Sequence, residues 1–252
     1  MKITFLGTGT STGNPEIGCC CEVCISSDRK DHRLRASVLL ETAQGTRILI
    51  DCGPDFRFQM LRSQTFDLNA VLLTHEHYDH VGGLDDLRPF CKDRAIPVYA
   101  ERYVTEELHK RMPYAFVEHK YPGIPRLDLL PQVLQPFKVD DVCVTPIRLM
   151  HHKLPIFGYR IGNFAYLTDL KTIPESEYEK LEGLDVLVIN ALRMQEHISH
   201  QTISQALSQI ERIAPKRAFL THMSHHFGMH EEMQKQMPSN VYIAYDTLQL
   251  DI

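Results

Sequence analysis

The chain has 252 residues, a net charge of −5 with histidine counted neutral, seven cysteines and 14 histidines. That length allows one large α/β domain or two small ones, with a core that needs no staples. The acidic balance argues against nucleic-acid binding through a broad basic surface, and no stretch approaches the roughly 18 apolar residues of a membrane helix.

In chain order, KITFLG (residues 2–7) reads as a buried strand that runs into the turn-rich loop GTGTSTGNPEIG. Its apolar run is too short for a signal peptide, so the cytoplasm is the expected compartment. Thiols stay reduced there, and the cluster CCCEVC at 19–24 reads as metal ligands before disulfides. ASVLLET and TRILIDCG, separated by AQG, predict a β-hairpin. PDFRFQMLRS predicts a helix, NAVLLTHEHYDH a strand with a polar end, GGLDDLRPF a short helix and IPVYA a strand. ERYVTEELHKRM predicts a helix, and the proline-bearing segment 113–131 a long irregular stretch. VCVTPIRLMHH, FGYRIG, FAYLTDL and DVLVINA read as strands, and IPESEYEKLEGL and HQTISQALSQIERIA as helices. RAFLTHMSHH and VYIAYDTLQLDI close the chain as strands. No linker, low-complexity segment or repeat interrupts this order, so residues 1–252 are expected to form a single layered domain.

The chemistry concentrates in THEHYDH, residues 74–80, directly after an apolar run. His75, His77, Asp79 and His80 offer imidazoles and a carboxylate that suit zinc, manganese or iron. Four such groups could not enter an apolar core without a heavy desolvation cost. Three later strand ends add His151 or His152, Asp169 and His222. Seven donors exceed the four of a closed structural zinc. They suit two metals that share a bridging carboxylate and keep positions open.

The HxHxDH motif with the spaced His, Asp and His resembles the metallo-β-lactamase-fold hydrolases. The likeness runs from the opening strand and its GTG loop, through LIDCG, to the last histidine strand. It implies an α+β fold, an αββα sandwich with metals at one edge of two packed sheets. It also implies a ligand set: His75, His77 and His151 on one metal, Asp79, His80 and His222 on the other, and Asp169 bridging. HHKLPIFGY is similar to the family's His-x-Lys-Leu segment with His151 as the ligand, which leaves His152 to point elsewhere.

Among the clustered cysteines, alternation along an extended loop puts Cys19 and Cys21 on one face and Cys20 on the other, and Cys24 follows Cys21 at C-x-x-C spacing. A shell with Cys20 in place of Cys21 and a redox-active cluster are the alternatives. Cys52, Cys91 and Cys143 read as ordinary buried thiols. The phosphoribosyl cyclic phosphodiesterase (PhnP-like) branch carries Cys-x-Cys-x-x-Cys near its start and T-H-x-x-H near its end. GCCCEVC and LTHMSH resemble that pair, which implies a Cys₃His structural zinc completed by His225. His226 and His230 then read as spare, exposed histidines.

The resemblance implies a dinuclear phosphodiesterase, with two zinc or manganese ions and a small, anionic, cyclic phosphodiester as substrate. His200, just before a helix, takes the position of a phosphate-contacting histidine and candidate general acid, with Asp79 assisting and His197 a poorer candidate. Lys153, Arg88 and Arg57 could meet an anion but read equally well as surface residues. The rivals are a tRNA 3′-processing nuclease of the same fold, a thioester or lactam hydrolase, and a non-enzymatic member like the cofactor-biosynthesis protein PqqB. The mildly basic, short segment around 119–131 argues against a tRNA-holding arm. The same segment could cap the site or join two copies of the chain as a homodimer.

Overall fold

The computed structural model describes residues 1–117 and 123–252. In the first half of the chain, β1 (Lys2–Gly7), β2 (Ser37–Glu41), β3 (Arg47–Ile50), β4 (Ala70–Leu72), β5 (Ile96–Glu101) and β6 (Leu127–Gln132) lie side by side in sequence order. The second half builds another sheet from β7 (Phe137–Val139), β8 (Val142–His151), β9 (Leu154–Ile161), β10 (Phe164–Leu167), β11 (Val186–Asn190), β12 (Arg217–Thr221) and β13 (Val241–Ile243). The last strand, β14 (Gln249–Asp251), returns to the first sheet and pairs antiparallel with β1. Strands β3 to β6 and β10 to β13 run parallel, so their C-terminal ends collect at an edge of each sheet.

These strands are apolar on both faces because both faces are covered. Val38, Leu40, Ile48, Ile50 and Leu72 point inward and meet Val144, Phe157, Tyr159, Tyr166 and Val188 of the other sheet. Their neighbours Leu39, Leu49 and Val71 point outward, under α1 (Phe56–Ser63) and α3 (Arg102–Arg111). Leu187, Ile189, Ala218 and Leu220 face outward from the second sheet, under α4 (Ile203–Ile213). Period-two alternation thus feeds three apolar layers and gives the α+β sandwich expected. Truncating a fully buried residue such as Leu187 to Ala would cost about 2–5 kcal/mol.

Helix α4 starts at a capping box. Thr202 Oγ1 accepts from Gln205 N (3.2 Å), and Gln205 Oε1 accepts from Thr202 N (3.1 Å). Its apolar residues Ile203, Ala206, Ile210 and Ile213 form the stripe that seats on the sheet.

Several expectations change. The stretches 84–91 and 175–181 are 3₁₀ helices, and in the first Pro89 supplies no N–H to a helical ladder. Part of the segment expected to be irregular is β6, which pairs with β5 along its whole length. Residues 118–122 of that segment lie outside the described residues. VYIAYDTLQLDI is two strands in different sheets, β13 beside β12 and β14 beside β1. Strand β7 carries no strong sequence signal and forms by pairing with β8. Cys143 is exposed rather than buried, because its side chain alternates outward from β8, whereas Cys52 and Cys91 are buried. His230, expected at the surface, is buried beside Arg33 (3.3 Å).

Candidate active site

The expected donors converge where the strands end. His75 follows β4, and Asp79 and His80 lie on the one-turn helix α2 (Tyr78–Val81). His151 is the last residue of β8, Asp169 follows β10 and His222 follows β12. Asp169 and His222 both adopt left-handed backbone angles (φ 58° each), as does Asp51 after β3 (φ 64°). Non-glycine residues sit there only where surrounding structure over-determines them, and each costs on the order of 1 kcal/mol. Here the left-handed turn swings each carboxylate or imidazole off its strand toward the shared edge. His152 (φ 55°) is exposed in the tight turn between β8 and β9, which separates it from His151.

One hydrogen-bond chain orients the donors. Asp51, fully buried, accepts from His80 Nδ1 (2.7 Å), from Thr74 N (2.9 Å) and from Thr74 Oγ1 (3.0 Å). The Thr74 hydroxyl proton is thereby used, so Thr74 Oγ1 accepts from His75 Nδ1 (3.0 Å). His151 Nδ1 donates to the Asp169 carbonyl (2.6 Å). His75 and His151 are thereby left with a bare Nε2 directed inward, and His80 turns its Nε2 toward two carboxylates. His75 Nε2 lies 3.0 Å from His77 Nδ1. His80 Nε2 lies 3.1 Å from Asp79 and 3.2 Å from Asp169, and His222 Nε2 lies 3.5 Å and 3.1 Å from the same two carboxylates. Gly53 makes this close approach possible, because a Cβ there would fall 2.1 Å from the Asp79 carbonyl.

Burial alone would raise the Asp79 and Asp169 carboxyls. His80 and His222 more than offset it and hold both well below the usual carboxylate range. Burial lowers His75 and His151 and so keeps them neutral, as ligands must be. His80 behaves oppositely: burial would lower it, but Asp169, Asp79 and Asp51 surround it and raise it well above the ordinary histidine value.

The donor set fits divalent metals. Asp79, His80, Asp169 and His222 bring their ligand atoms within 4.8 Å of one another. His80 Nε2 and both His222 ring nitrogens are buried without a hydrogen-bond partner among the described residues. Unpartnered buried nitrogens facing carboxylates are costly in the bare chain and satisfied by a cation. The rings of His75 and His77 lie 5.6 and 5.1 Å from that of His151.

His200 is also brought in. Its ring stacks 5.0 Å from His222 and meets His151 edge-on at 4.8 Å, and its Nδ1 is 3.8 Å from Asp169. Burial takes it down to about 3, so it meets a substrate as a neutral imidazole. His197 packs against it, tilted, at 4.9 Å from nearer the surface. Lys171 holds their loop, donating to Glu196 (2.6 Å), the His197 carbonyl (2.8 Å) and the His200 carbonyl (3.2 Å). Of the candidate anion contacts, Arg88 pairs with Asp85, while Lys153 and Arg57 are exposed.

In the loop after β1, Cys19, Cys21 and Cys24 place their sulfurs 3.1, 3.4 and 3.5 Å from Nδ1 of His225, three residues beyond His222. Cys20 is exposed and turned away. The Cys24 backbone N–H brings the Cys21 thiol down to about 6, while burial pushes Cys24 up to about 11. Three sulfurs around one imidazole nitrogen suit a closed zinc shell. Glu16 lies behind His225, 3.6 Å from its Nε2, where a carboxylate orients a ligating histidine.

Three contributors escaped the sequence reading: Asp51, Lys171 and Glu16. Only Asp51 carried a signal, as the carboxylate that ends the apolar run RILID.

The profile of the Beta-lactamase superfamily domain matches residues 46–223. An octanoyltransferase of Porphyromonas gingivalis is 49% identical over 251 residues, 99% of this chain and 51% of that protein. A ribonuclease Z of Thermosynechococcus vestitus is 33% identical over 176 residues, 64% of this chain and 36% of that one. The chain thus spans about half or less of the length of these relatives. A crystal structure of a diphosphatase from the PhnP family superimposes with a TM-score of 0.93 at 36% identity, over 100% of this chain and 97% of the other. With its sheet order, its strand-end histidines and this match across most of the fold, the chain belongs to the beta-lactamase superfamily and resembles the PhnP family within it.

Proposed function

We propose that the chain is a metal-dependent phosphodiesterase that hydrolyses a small, anionic phosphodiester, such as a cyclic phosphate of ribose, in the cytoplasm. The observation that carries this is the buried cluster of Asp79, His80, Asp169 and His222, in which His80 Nε2 and both His222 ring nitrogens have no hydrogen-bond partner among the described residues, with His75, His77 and His151 beside it. His75, His77 and His151 would hold one divalent ion, Asp79, His80 and His222 a second, with Asp169 between them. Cys19, Cys21, Cys24 and His225 would hold a structural zinc. Bound at the cluster, zinc or manganese would supply Lewis acidity and acidify a water near neutral pH. The names of the PhnP-family diphosphatase and of ribonuclease Z both support attack at phosphorus.

The chain's own groups then have separable tasks. Asp51, Thr74 and the Asp169 carbonyl fix the tautomers of His80, His75 and His151. Asp79 and Asp169 supply the negative charge that retains cations. His200 donates a hydrogen bond to the phosphate as a neutral ring. Its service as an acid depends on the substrate's negative charge raising it.

Metal content and hydrolysis of bis-p-nitrophenyl phosphate by the wild type and His222→Ala test the reading. Close to three metals per chain and a loss of activity in His222→Ala support it. One metal per chain and no hydrolysis with added zinc or manganese overturn it. The octanoyltransferase relative favours a second reading, in which the cluster cleaves an acyl ester or thioester. Release of octanoate from an octanoyl thioester, with no phosphodiester cleavage, would select it.

A further inference from the structure

Three imidazoles of the cluster are fixed by a hydrogen bond outward from the ring: His75 to Thr74, His80 to Asp51 and His151 to the Asp169 carbonyl. The ring of His77 has no such anchor among the described residues, and its Nδ1 faces His75. Its place is therefore set through its backbone. On one side the His77 carbonyl accepts from His80 N (2.9 Å) and Val81 N (3.1 Å), within the turn of α2. On the other side the chain continues into Glu76.

We propose that Tyr103, on α3, is a positioning residue for the metal at His75, His77 and His151, acting by tying Glu76 to the β8–β9 hairpin. The inference rests on the two-metal part of the reading above and is independent of the substrate.

α3 lies across both arms of that metal site. Glu101, the residue before the helix, takes Arg148 in a bidentate pair with two bonds of 2.6 Å, three positions before His151 on β8. Tyr103 Oη donates to the Pro155 carbonyl (2.9 Å) on β9, just past the hairpin turn. At the far end of the helix, Arg111 donates to the Glu76 carbonyl, between His75 and His77. Burial, with Glu76 and Glu101 nearby, holds the Tyr103 phenol well above the ordinary tyrosine value, so it keeps its proton. That proton goes to Pro155, and Glu76 Oε2 is buried with no partner among the described residues. One phenol thus stands between an acceptor on the arm that carries His151 and an acceptor on the arm that carries His77. Among the described residues, α3 makes no hydrogen bond or ion pair to Asp79, His80, Asp169 or His222. His80 has its own anchor in Asp51, and His222 stands on another strand. A disturbance of α3 therefore reaches one metal and spares the other.

The test is a titration of the two cluster metals against a competing chelator, with His77→Ala marking which step belongs to the site of His75, His77 and His151. Tyr103→Phe keeps the ring and removes only the hydroxyl. Its affinity at that site should fall about 10-fold, the scale of losing an outer partner, while the second site matches the wild type. Arg111→Met should act in the same direction, and Arg111→Lys, which keeps a donor, should recover the affinity. In the His77→Ala background, Tyr103→Phe should leave the remaining affinity unchanged. Wild-type affinity at both sites in Tyr103→Phe, or equal weakening of both, overturns the positioning role alone. A wild-type protein that takes up only the structural zinc overturns the two-metal reading and the positioning role with it.

Discussion

Replacing Asp51 by Asn tests whether the fold holds the metal cluster through a buried carboxylate behind it. Asp51 touches none of the space between the donors. It accepts from His80 Nδ1 at 2.7 Å and from Thr74 N and Oγ1 at 2.9 and 3.0 Å. Asn keeps the size, and it tolerates the left-handed backbone that residue 51 adopts. What it loses is acceptor capacity, since one of its two terminal atoms becomes an NH₂ donor facing His80 or Thr74. One buried N–H or O–H then goes unpartnered, at a cost of about 1–3 kcal/mol. His80 also loses the carboxylate that makes its Nε2 a strong ligand. Loss of such an outer partner weakens metal binding roughly 10- to 100-fold, about 1.4–2.8 kcal/mol. The assay is metal titration against a competing chelator, with thermal unfolding of the apo-protein run in parallel. We expect one weakened site, a lower apo Tm and activity recovered at high metal concentration. Wild-type metal affinity in Asp51→Asn, with an unchanged Tm, would refute the reasoning.

Cys21→Ser should bind one zinc fewer and lose the zinc-dependent part of its stability, about 2.7 kcal/mol at zinc 100-fold above its Kd. Elemental analysis and a Tm series in zinc read both. Lys171→Met should free the loop that carries His197 and His200, which Lys171 holds by three backbone and side-chain acceptors. Turnover should drop by up to about 100-fold, the scale of a catalytic group misplaced by about 1 Å, with metal content unchanged. His230 is lowered from 6.5 to about 4, first by burial and then by Arg33. Because its folded value is depressed, the stability it contributes is present above pH 6.5 and is lost as pH falls toward 4. His230→Gln should flatten that acid limb in denaturant titrations, and an equally steep limb would count against the assignment.

Much of the site could be read before the fold was seen because ligand chemistry leaves a local record. THEHYDH packs four donors into one strand end, and no apolar core accepts such a run. The spaced His151, Asp169 and His222 each follow an apolar stretch, so they announce themselves as strand-end groups. Cys19, Cys21 and Cys24 are likewise close in sequence. The strand and helix order was legible for the same kind of reason, since both faces of these strands are apolar and α4 carries a regular stripe. β7 and the division of the last segment into two strands of different sheets were not, because pairing partners, not local pattern, decide them.

The sequence by itself determined which side chains could take metals and which segments would be strands. Tertiary structure alone decided how they meet. The left-handed turns at Asp51, Asp169 and His222 depend on packing around each strand end, and the contact between Asp51 and His80 spans 29 positions of the chain. His225 reaches the cysteines across some 200 residues, and His230, which looked like a surface residue, is buried by Arg33. Burial and long-range contact set these outcomes, and neither is encoded in the spacing of neighbouring residues.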